Sequence, residues 1–326
     1  MSMTDMELTP EELSSAAAEA IADAQNYPFK KASEILANAG LCGVCASEEI
    51  GGLGLGLEFA VPIVAEAGKL RLQWPLLETI LIAKALGTSP LAEELCNGTR
   101  IATIALQGEF SSQWAGHARF AQHCDWVLVA NGNAGGVLLD LTSVTPQEDD
   151  ALDPENPQSW LDLANATVLA TLDSETYSAL QRNSQILIAS FVNGAAEGAL
   201  LATATYLSAR VQFGRPLTAK QAARHTLARM RLLQEATHAG IQRVLRTDEF
   251  DRVRTTSSVL AHALSSAAFV LEKSIHLHGG MGFTWEVPLH YALRDIRKFD
   301  AAFGSGALTS HVGREAIQSI TLQGNV

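Results

Sequence analysis

Two short segments of this sequence combine cations, aromatic rings and glycines in a way that suits nucleotide chemistry. The first reads Arg-Val-Gln-Phe-Gly-Arg-Pro-Leu from Arg210 to Leu217 and continues to Gln221. A guanidinium can form paired hydrogen bonds with a pyrophosphate, and Phe213 can pack against an adenine or a ribose. A cation that complements the dipole at a helix C-terminus explains Arg210 equally well when this segment is taken alone.

The second segment runs from His276 to Glu286 and holds Gly279, Gly280 and Gly282. Glycines without a Cβ let a backbone approach a ligand closely. A helix C-cap explains Gly279, but it explains Gly280 and Gly282 poorly. The two segments lie in one chain, 69 residues apart from Arg210 to Gly279. Together they favour a binding site for a nucleotide that contains a pyrophosphate.

Composition divides the chain into three zones, which we predict as domains: residues 1–98 helical, 99–172 a small β domain, and 173–326 a helical bundle. In the first zone, Thr9-Pro10-Glu11-Glu12 is a capping box with proline at the first helical position. In the second, short β-prone runs separated by Gly, Asn, Asp and Pro predict a small antiparallel sheet. The fold class is therefore α+β and mostly helical.

The third zone predicts an antiparallel bundle of long helices with short connections. Ala-rich and apolar stretches with helical character cover residues 178–210, 220–248, 251–278 and 308–322. Turns at Gly214 and Gly279-Gly280 separate them. The pair of motifs therefore lies at helix ends within the bundle.

The motifs resemble those of the acyl-CoA dehydrogenases. The family's Arg-x-x-Phe-Gly-x-Pro motif is matched from Arg210, its His-Gly-Gly-x-Gly-Phe-Thr-Trp-Glu motif from His278, and its following Arg-Asp pair by Arg294-Asp295. The resemblance implies N-terminal helices, a middle β domain, a C-terminal four-helix bundle and FAD. It also implies oxidation of an acyl-CoA thioester across its α and β carbons. In these terms the FAD-binding residues are Arg210, Phe213, Gln221, Gly279, Gly280 and Gly282.

The catalytic carboxylate is missing from both positions where the resemblance places it. One family position, just before a Gly-Thr pair, falls on Phe303, and the alternative position falls on Ser184. Phenylalanine cannot accept the α proton, and serine is a poor base without a partner. At the position of the family's flavin-ring loop stands Leu106-Gln107-Gly108-Glu109. We therefore expect no catalytic residue in this chain, while the ADP-binding part is retained.

The resemblance suggests a structural reason why the ADP-binding part is retained while the catalytic carboxylate is missing. In the family, the Arg and the Gly-Gly loop reach the ADP part of FAD bound by a neighbouring subunit. The sequence resembles the non-catalytic subunit of bacterial heteromeric α2β2 enzymes that act on steroid side-chain CoA thioesters. The expected partners are a catalytic acyl-CoA dehydrogenase subunit, an acyl-CoA substrate and an electron-transfer flavoprotein. Two alternatives stay open: a homomeric enzyme with a relocated base such as Glu197, and a flavin-free structural protein on the same fold.

Composition bounds the remaining functions. The chain has 326 residues, 47% of them hydrophobic, and a formal net charge of −12. We find no basic cluster of the kind that a nucleic-acid partner needs, no apolar run long enough to predict a membrane span, and no secretory signal, so the expected location is the cytoplasm. Cys42, Cys45, Cys96 and Cys124 are expected to be thiols, and their spacing predicts no metal site.

Overall fold

The computed structural model describes residues 9–149, 158–246 and 255–323. Five helices open the chain, and the predicted capping box is present: the amide of Glu12 donates to Thr9 Oγ1, and the amide of Thr9 donates to Glu12. A fifth helix before the first strand was not predicted. These helices are α1 (Pro10–Ala24), α2 (Phe29–Asn38), α3 (Leu57–Lys69), α4 (Leu76–Ala85) and α5 (Pro90–Cys96).

Strands follow in two four-stranded sheets, with orders β1-β4-β5-β8 and β2-β3-β7-β6. The expectation of one antiparallel sheet is wrong in two respects, since there are two sheets and β1 pairs with β4 in parallel. Four of the strands were not predicted, because they are short or polar. The strands are β1 (Ala102–Ile104), β2 (Gln107–Glu109), β3 (Trp114–Arg119), β4 (Trp126–Ala130), β5 (Gly136–Asp140), β6 (Pro146–Asp149), β7 (Gln158–Asp162) and β8 (Thr167–Leu172).

Long helices form the rest of the described chain, as the fold class predicts. A two-stranded hairpin, β9 (Val211–Gln212) and β10 (Arg215–Pro216), joins the first two. The helix α9 was not predicted from the sequence as a separate element; five of its 14 residues are charged. The helices are α6 (Ser174–Ala209), α7 (Gln221–Arg246), α8 (Thr256–Leu277), α9 (Leu289–Ala302) and α10 (Ala307–Gln323).

Helix α6 is the central element of the core. Its 36 residues span about 54 Å. It is long and apolar enough to cross a membrane by length and composition, but 78% of its most apolar window is buried within the protein. It crosses α3 at backbone contact: a Cβ on Gly194 would lie 1.9 Å from the carbonyl oxygen of Ala65, and one on Gly68 would lie 1.9 Å from that of Phe191. Only glycine permits this approach.

The three zones meet at a buried ion pair. Arg119 at the end of β3 donates to Glu78 of α4 at 3.1 Å, and both side chains are almost completely buried. The Arg119 guanidinium lies 5.1 Å from the ring centroid of Phe191 in α6 and 4.8 Å from that of Phe299 in α9. One side chain of the β zone therefore joins helices from both helical zones.

Candidate functional site

A cavity of about 180 Å³ brings together the two positions at which a catalytic carboxylate was expected. Ser184 lies on α6, and Phe303 is the C-cap of α9. They are 119 residues apart in sequence, yet both line the same space between α6, α9 and the β1–β2 connection. The lining residues are Ile104, Ala105, Leu106, Tyr177, Leu180, Gln181, Ser184, Gln185 and Phe303.

Every polar group that lines this cavity is neutral. The Gln185 side-chain oxygen accepts hydrogen bonds from the hydroxyls of Thr256 (2.5 Å) and Ser257 (3.1 Å), so it is already committed to α8. Burial raises the pKa of the Tyr177 phenol, which keeps this hydroxyl protonated. None of the lining residues is an Asp, Glu or His. The cavity therefore offers no group suited to removing an α proton at neutral pH.

Glu197 lies on the same helix as Ser184 but far from the cavity. Their separation of 13 positions corresponds to about 20 Å along α6. A glutamate side chain reaches only a few ångströms from its Cα, so Glu197 cannot act on a group bound at Ser184 and Phe303.

Beside the cavity, the β domain contacts α9 directly. Gln107 of β2 donates from its side-chain amide to the carbonyl oxygens of Ala301 (3.2 Å) and Ala302 (3.0 Å). These bonds satisfy two of the last carbonyls of α9, which have no partner within the helix. Pockets that bind cofactor-sized ligands usually measure about 300–1,000 Å³. The residues at this end therefore do not fit a flavin ring together with an acyl thioester.

The predicted nucleotide-binding residues of the first motif lie at the surface. Arg210 is the exposed C-cap of α6, and Gln221 is exposed at the start of α7. Phe213 occupies the tip of the β9–β10 hairpin with a φ of +55° and is 89% exposed. The Lys220 ammonium lies 4.9 Å from the centroid of its ring. The hairpin therefore presents cations and an aromatic face away from its own core.

The second motif lies beside the end of α6, as the pairing of the two motifs predicted. The Tyr206 ring stacks on His278 with centroids 4.4 Å apart, and its hydroxyl donates to the His278 carbonyl oxygen at 3.4 Å. Since Tyr206 is one turn before Arg210, these contacts hold the Gly-Gly loop next to the hairpin. Tyr206 was not predicted from the sequence, where its only signal is its position four residues before the motif.

The three glycines of the second motif differ in their surroundings. Gly279 (φ +61°) and Gly280 are exposed, and a Cβ on either would meet no atom within 4 Å. A Cβ on Gly282 would lie 2.1 Å from the Ile275 carbonyl oxygen. Gly279 and Gly280 therefore leave the backbone of this loop bare at the surface, whereas Gly282 serves the packing of this loop against α8.

The four cysteines are free thiols. Burial raises the pKa of the Cys45 thiol to about 11, so this thiol is protonated and unreactive at neutral pH. Within the described ranges, no group of three or more His, Cys, Asp or Glu side chains is arranged to hold a metal ion.

Residues 180–317 match the C-terminal domain of the acyl-CoA dehydrogenases. The acyl-CoA dehydrogenase IpdE2 of Mycobacterium tuberculosis is 30% identical over 262 residues, which cover 77% of this chain and 75% of that protein. The chain therefore belongs to the acyl-CoA dehydrogenase family.

Solved structures agree with this fold. A chain of the ChsE4–ChsE5 complex from Mycobacterium tuberculosis superposes with a TM-score of 0.82 at 20% identity, covering 97% of this chain and 99% of that one. A chain from the Tcur3481–Tcur3483 steroid acyl-CoA dehydrogenase, a G363A variant, has a TM-score of 0.81 at 23% identity, with 96% and 98% covered. At these identities the likeness establishes the fold.

Proposed function

We propose that this chain is the non-catalytic subunit of a heteromeric, FAD-dependent acyl-CoA dehydrogenase. The observation that carries the proposal is the cavity that Ser184 and Phe303 share. Its lining contains no carboxylate, and its volume is below that of a cofactor pocket. A catalytic subunit of the complex supplies the glutamate and holds the flavin ring.

The residues toward the ADP part of FAD are those at the open end of the bundle. Arg210 would pair with the pyrophosphate, Phe213 would pack on the adenosine, and Gln221 with the exposed backbone at Gly279 and Gly280 would complete the contact. The chemistry that the cofactor would supply is acceptance of a hydride from the β carbon of the substrate. This chain contributes charge neutralisation and orientation to the partner's cofactor, and its exposed surface makes the FAD-binding part of the subunit interface.

The alternative of a homomeric enzyme needs a base in reach of the cavity. Glu197 is about 20 Å away along α6. The flavin-free alternative has no counterpart for the exposed Phe213 and the open Gly279-Gly280 surface, which a purely structural subunit would not need. Both observations favour the heteromeric enzyme.

Both solved neighbours are named as two-component proteins, and one of them is named as a steroid acyl-CoA dehydrogenase. By analogy, the proposed assembly is an α2β2 tetramer in the cytoplasm, and the proposed substrate class is a steroid side-chain CoA thioester. The proposed electron acceptor is an electron-transfer flavoprotein. These assignments rest on family membership and analogy.

The amount of bound flavin distinguishes the proposed function from its two alternatives. The chain is purified alone, and then co-expressed with an acyl-CoA dehydrogenase subunit that retains the glutamate, for example one encoded by a neighbouring gene. The proposal expects negligible absorbance near 450 nm for the lone chain and stoichiometric FAD in the complex. FAD retained by the lone chain would favour a homomeric enzyme, and a complex without FAD would favour a structural protein.

A further inference from the structure

A second cavity lies at the opposite end of α9 from Phe303. It measures about 410 Å³, more than twice the volume of the cavity at Ser184, and falls within the range of about 300–1,000 Å³ that is usual for small-molecule sites. Pro288, the residue that caps the start of α9, lines it. The 15 positions from Pro288 to Phe303 correspond to about 22 Å along a helix, so the two cavities are separate sites.

This second cavity opens to solvent between the α1–α2 turn and the α3–α4 turn. Gln25, Tyr27 and Pro28 lie at its rim and are exposed, Tyr27 by 47%. Trp74, by contrast, is 2% exposed and forms part of its buried wall. A small ligand can therefore enter from solution and reach a largely buried surface.

Hydrogen bonds between the two turns hold the walls of the cavity in place. The Trp74 indole donates to the carbonyl oxygen of Phe29 at 3.3 Å, and the Gln25 side-chain amide donates to that of Leu70 at 2.8 Å. Aromatic and proline rings form much of the lining. These ring residues are Tyr27, Pro28, Phe29, Trp74 and Pro288. Because aromatic side chains favour offset or edge contacts with other rings, the walls suit a flat apolar ligand.

Arg71 is the charged residue among those that line the cavity. Its φ of +56° lies in the left-handed region just after α3, a position at which glycine is the usual residue. An L-residue there costs about 1–2 kcal/mol of backbone strain. The strain is offset by contacts of the side chain, whose Nε donates to Asp295 at 3.1 Å and whose guanidinium lies 4.5 Å from the Tyr291 ring centroid. These contacts fix the orientation of the guanidinium.

The ion pair with Asp295 does not use all of the donors of Arg71. The Lys298 ammonium also lies 3.8 Å from Asp295, so two cations share this carboxylate. Among the residues that the structure describes, Nε is the one side-chain atom of Arg71 with a hydrogen bond. The two Nη groups can therefore donate to a ligand, and a carboxylate matches the paired geometry of a guanidinium. None of the lining residues is acidic, so nothing in the lining repels an anion.

We infer that this cavity binds a small carboxylate that carries a flat apolar ring system. The rings pack against the aromatic and proline walls, and the carboxylate pairs with the Nη groups of Arg71. The inference goes beyond the proposed function and does not depend on it, because every residue of the cavity belongs to this chain. Binding is therefore measured on the full chain alone, without a partner subunit or FAD.

The first experiment compares three ligands by isothermal titration calorimetry. The probe is 2-naphthoate, 2-naphthalenemethanol keeps the rings without the charge, and decahydronaphthalene-2-carboxylate keeps the charge without the flat rings. We expect saturable 1:1 binding of 2-naphthoate and binding of each of the other two that is weaker by about tenfold or more. No saturable binding of 2-naphthoate at 2 mM overturns the inference. Equal binding of the alcohol, or of the saturated acid, overturns it as well, because the cavity would then select neither an anion nor a flat ring.

The second experiment locates the ligand with variants of the lining. Arg71→Gly removes the guanidinium and suits the left-handed backbone, so it should reduce the preference for 2-naphthoate over the alcohol to less than about threefold. Tyr27→Ala at the exposed rim leaves the ion pair of Arg71 intact and should weaken 2-naphthoate binding by about three- to tenfold. Trp114→Ala is the matched control, since it removes a similarly exposed ring from β3 and should leave binding unchanged. Binding that is unaffected by both Arg71→Gly and Tyr27→Ala places the ligand elsewhere and overturns the inference, whereas the proposed function is unaffected by that result.

Discussion

At the scale of single residues, the glycines of the second motif separate ligand binding from packing. Gly282→Ala should lower the free energy of unfolding by about 1–3 kcal/mol, because its Cβ would lie 2.1 Å from the Ile275 carbonyl oxygen. Gly280→Ala should leave stability unchanged, because its Cβ enters open space, but it should reduce FAD content in the complex. Thermal unfolding of the lone chain and flavin absorbance of the complex measure the two effects. Equal destabilisation by both variants would contradict this distinction.

Arg210 is the residue that we expect to contribute most to binding the partner's FAD. Arg210→Ala should weaken FAD retention by the complex about 10- to 150-fold, since a hydrogen bond to a charged group contributes about 1.5–3 kcal/mol. Arg210→Lys is the control that keeps the charge and loses the paired geometry, so its effect should be intermediate. FAD occupancy that is unchanged in Arg210→Ala, measured after dialysis, would remove this residue from the site.

The sequence indicated which residues act together, but it did not indicate which atoms surround each of them in the fold. The pairing of the two motifs was readable, because a cation, an aromatic ring and clustered glycines have few joint explanations. The different role of Gly282 was not readable, since it depends on a carbonyl seven residues earlier that only the fold brings close. The contribution of Tyr206 likewise depends on its stacking against His278. The roles assigned to Arg210, Phe213, Gln221, Gly279 and Gly280 stay predictions.

At the scale of elements, the buried pair of Glu78 and Arg119 should make stability depend on pH. Burial raises the pKa of the Glu78 carboxyl above its ordinary value of 4.5, and the nearby Arg119 charge opposes this only in part. One carboxylate oxygen, Oε2, is buried without a hydrogen-bond partner. Ionisation of Glu78 is therefore less favourable in the folded chain than in the unfolded chain.

The sign of the effect follows from linkage. A raised folded-state pKa gives stability that is present below about pH 4.5 and is lost as the pH rises through the folded-state pKa. The stability of the wild type minus that of Glu78→Gln should therefore decrease as the pH rises from 4.5. Urea unfolding at several pH values measures this difference. A difference that grows with pH would mean that Arg119 dominates over burial.

Elements with strong periodicity or defined caps were predictable, and those defined by pairing were not. The capping box of α1 and the long apolar helices of the bundle follow from local sequence. The parallel pairing of β1 with β4 and the short polar strand β2 do not, because register and strand partners are set by contacts distant in sequence. The hydrogen bond between Gln107 and α9 was not predictable for the same reason, since it links residues 194 positions apart.

At the scale of the whole molecule, restoring one carboxylate should not create an enzyme. Phe303→Glu in the lone chain should give no dehydrogenation, because the cavity is also too small for a flavin ring with a thioester. Phe303→Ala serves as the control for altered packing and should be equally inactive. Reduction of a dye in the presence of acyl-CoA and added FAD is the measurement. Activity gained only by Phe303→Glu would show that the cavity is a complete active site lacking a single group.

Turnover by the purified chain distinguishes an enzyme that works alone from one in which catalysis is divided between two kinds of subunit. The chain is reconstituted with FAD and assayed by dye-coupled turnover with a panel of acyl-CoA esters that includes a steroid side-chain CoA, alone and with the catalytic subunit. Loss of a general base typically costs about 10²–10⁴ in rate. We predict no turnover by the chain alone, turnover by the complex, and loss of that turnover when the partner's catalytic glutamate is replaced by glutamine. Robust turnover by the chain alone would show that it carries a catalytic base and a flavin site of its own.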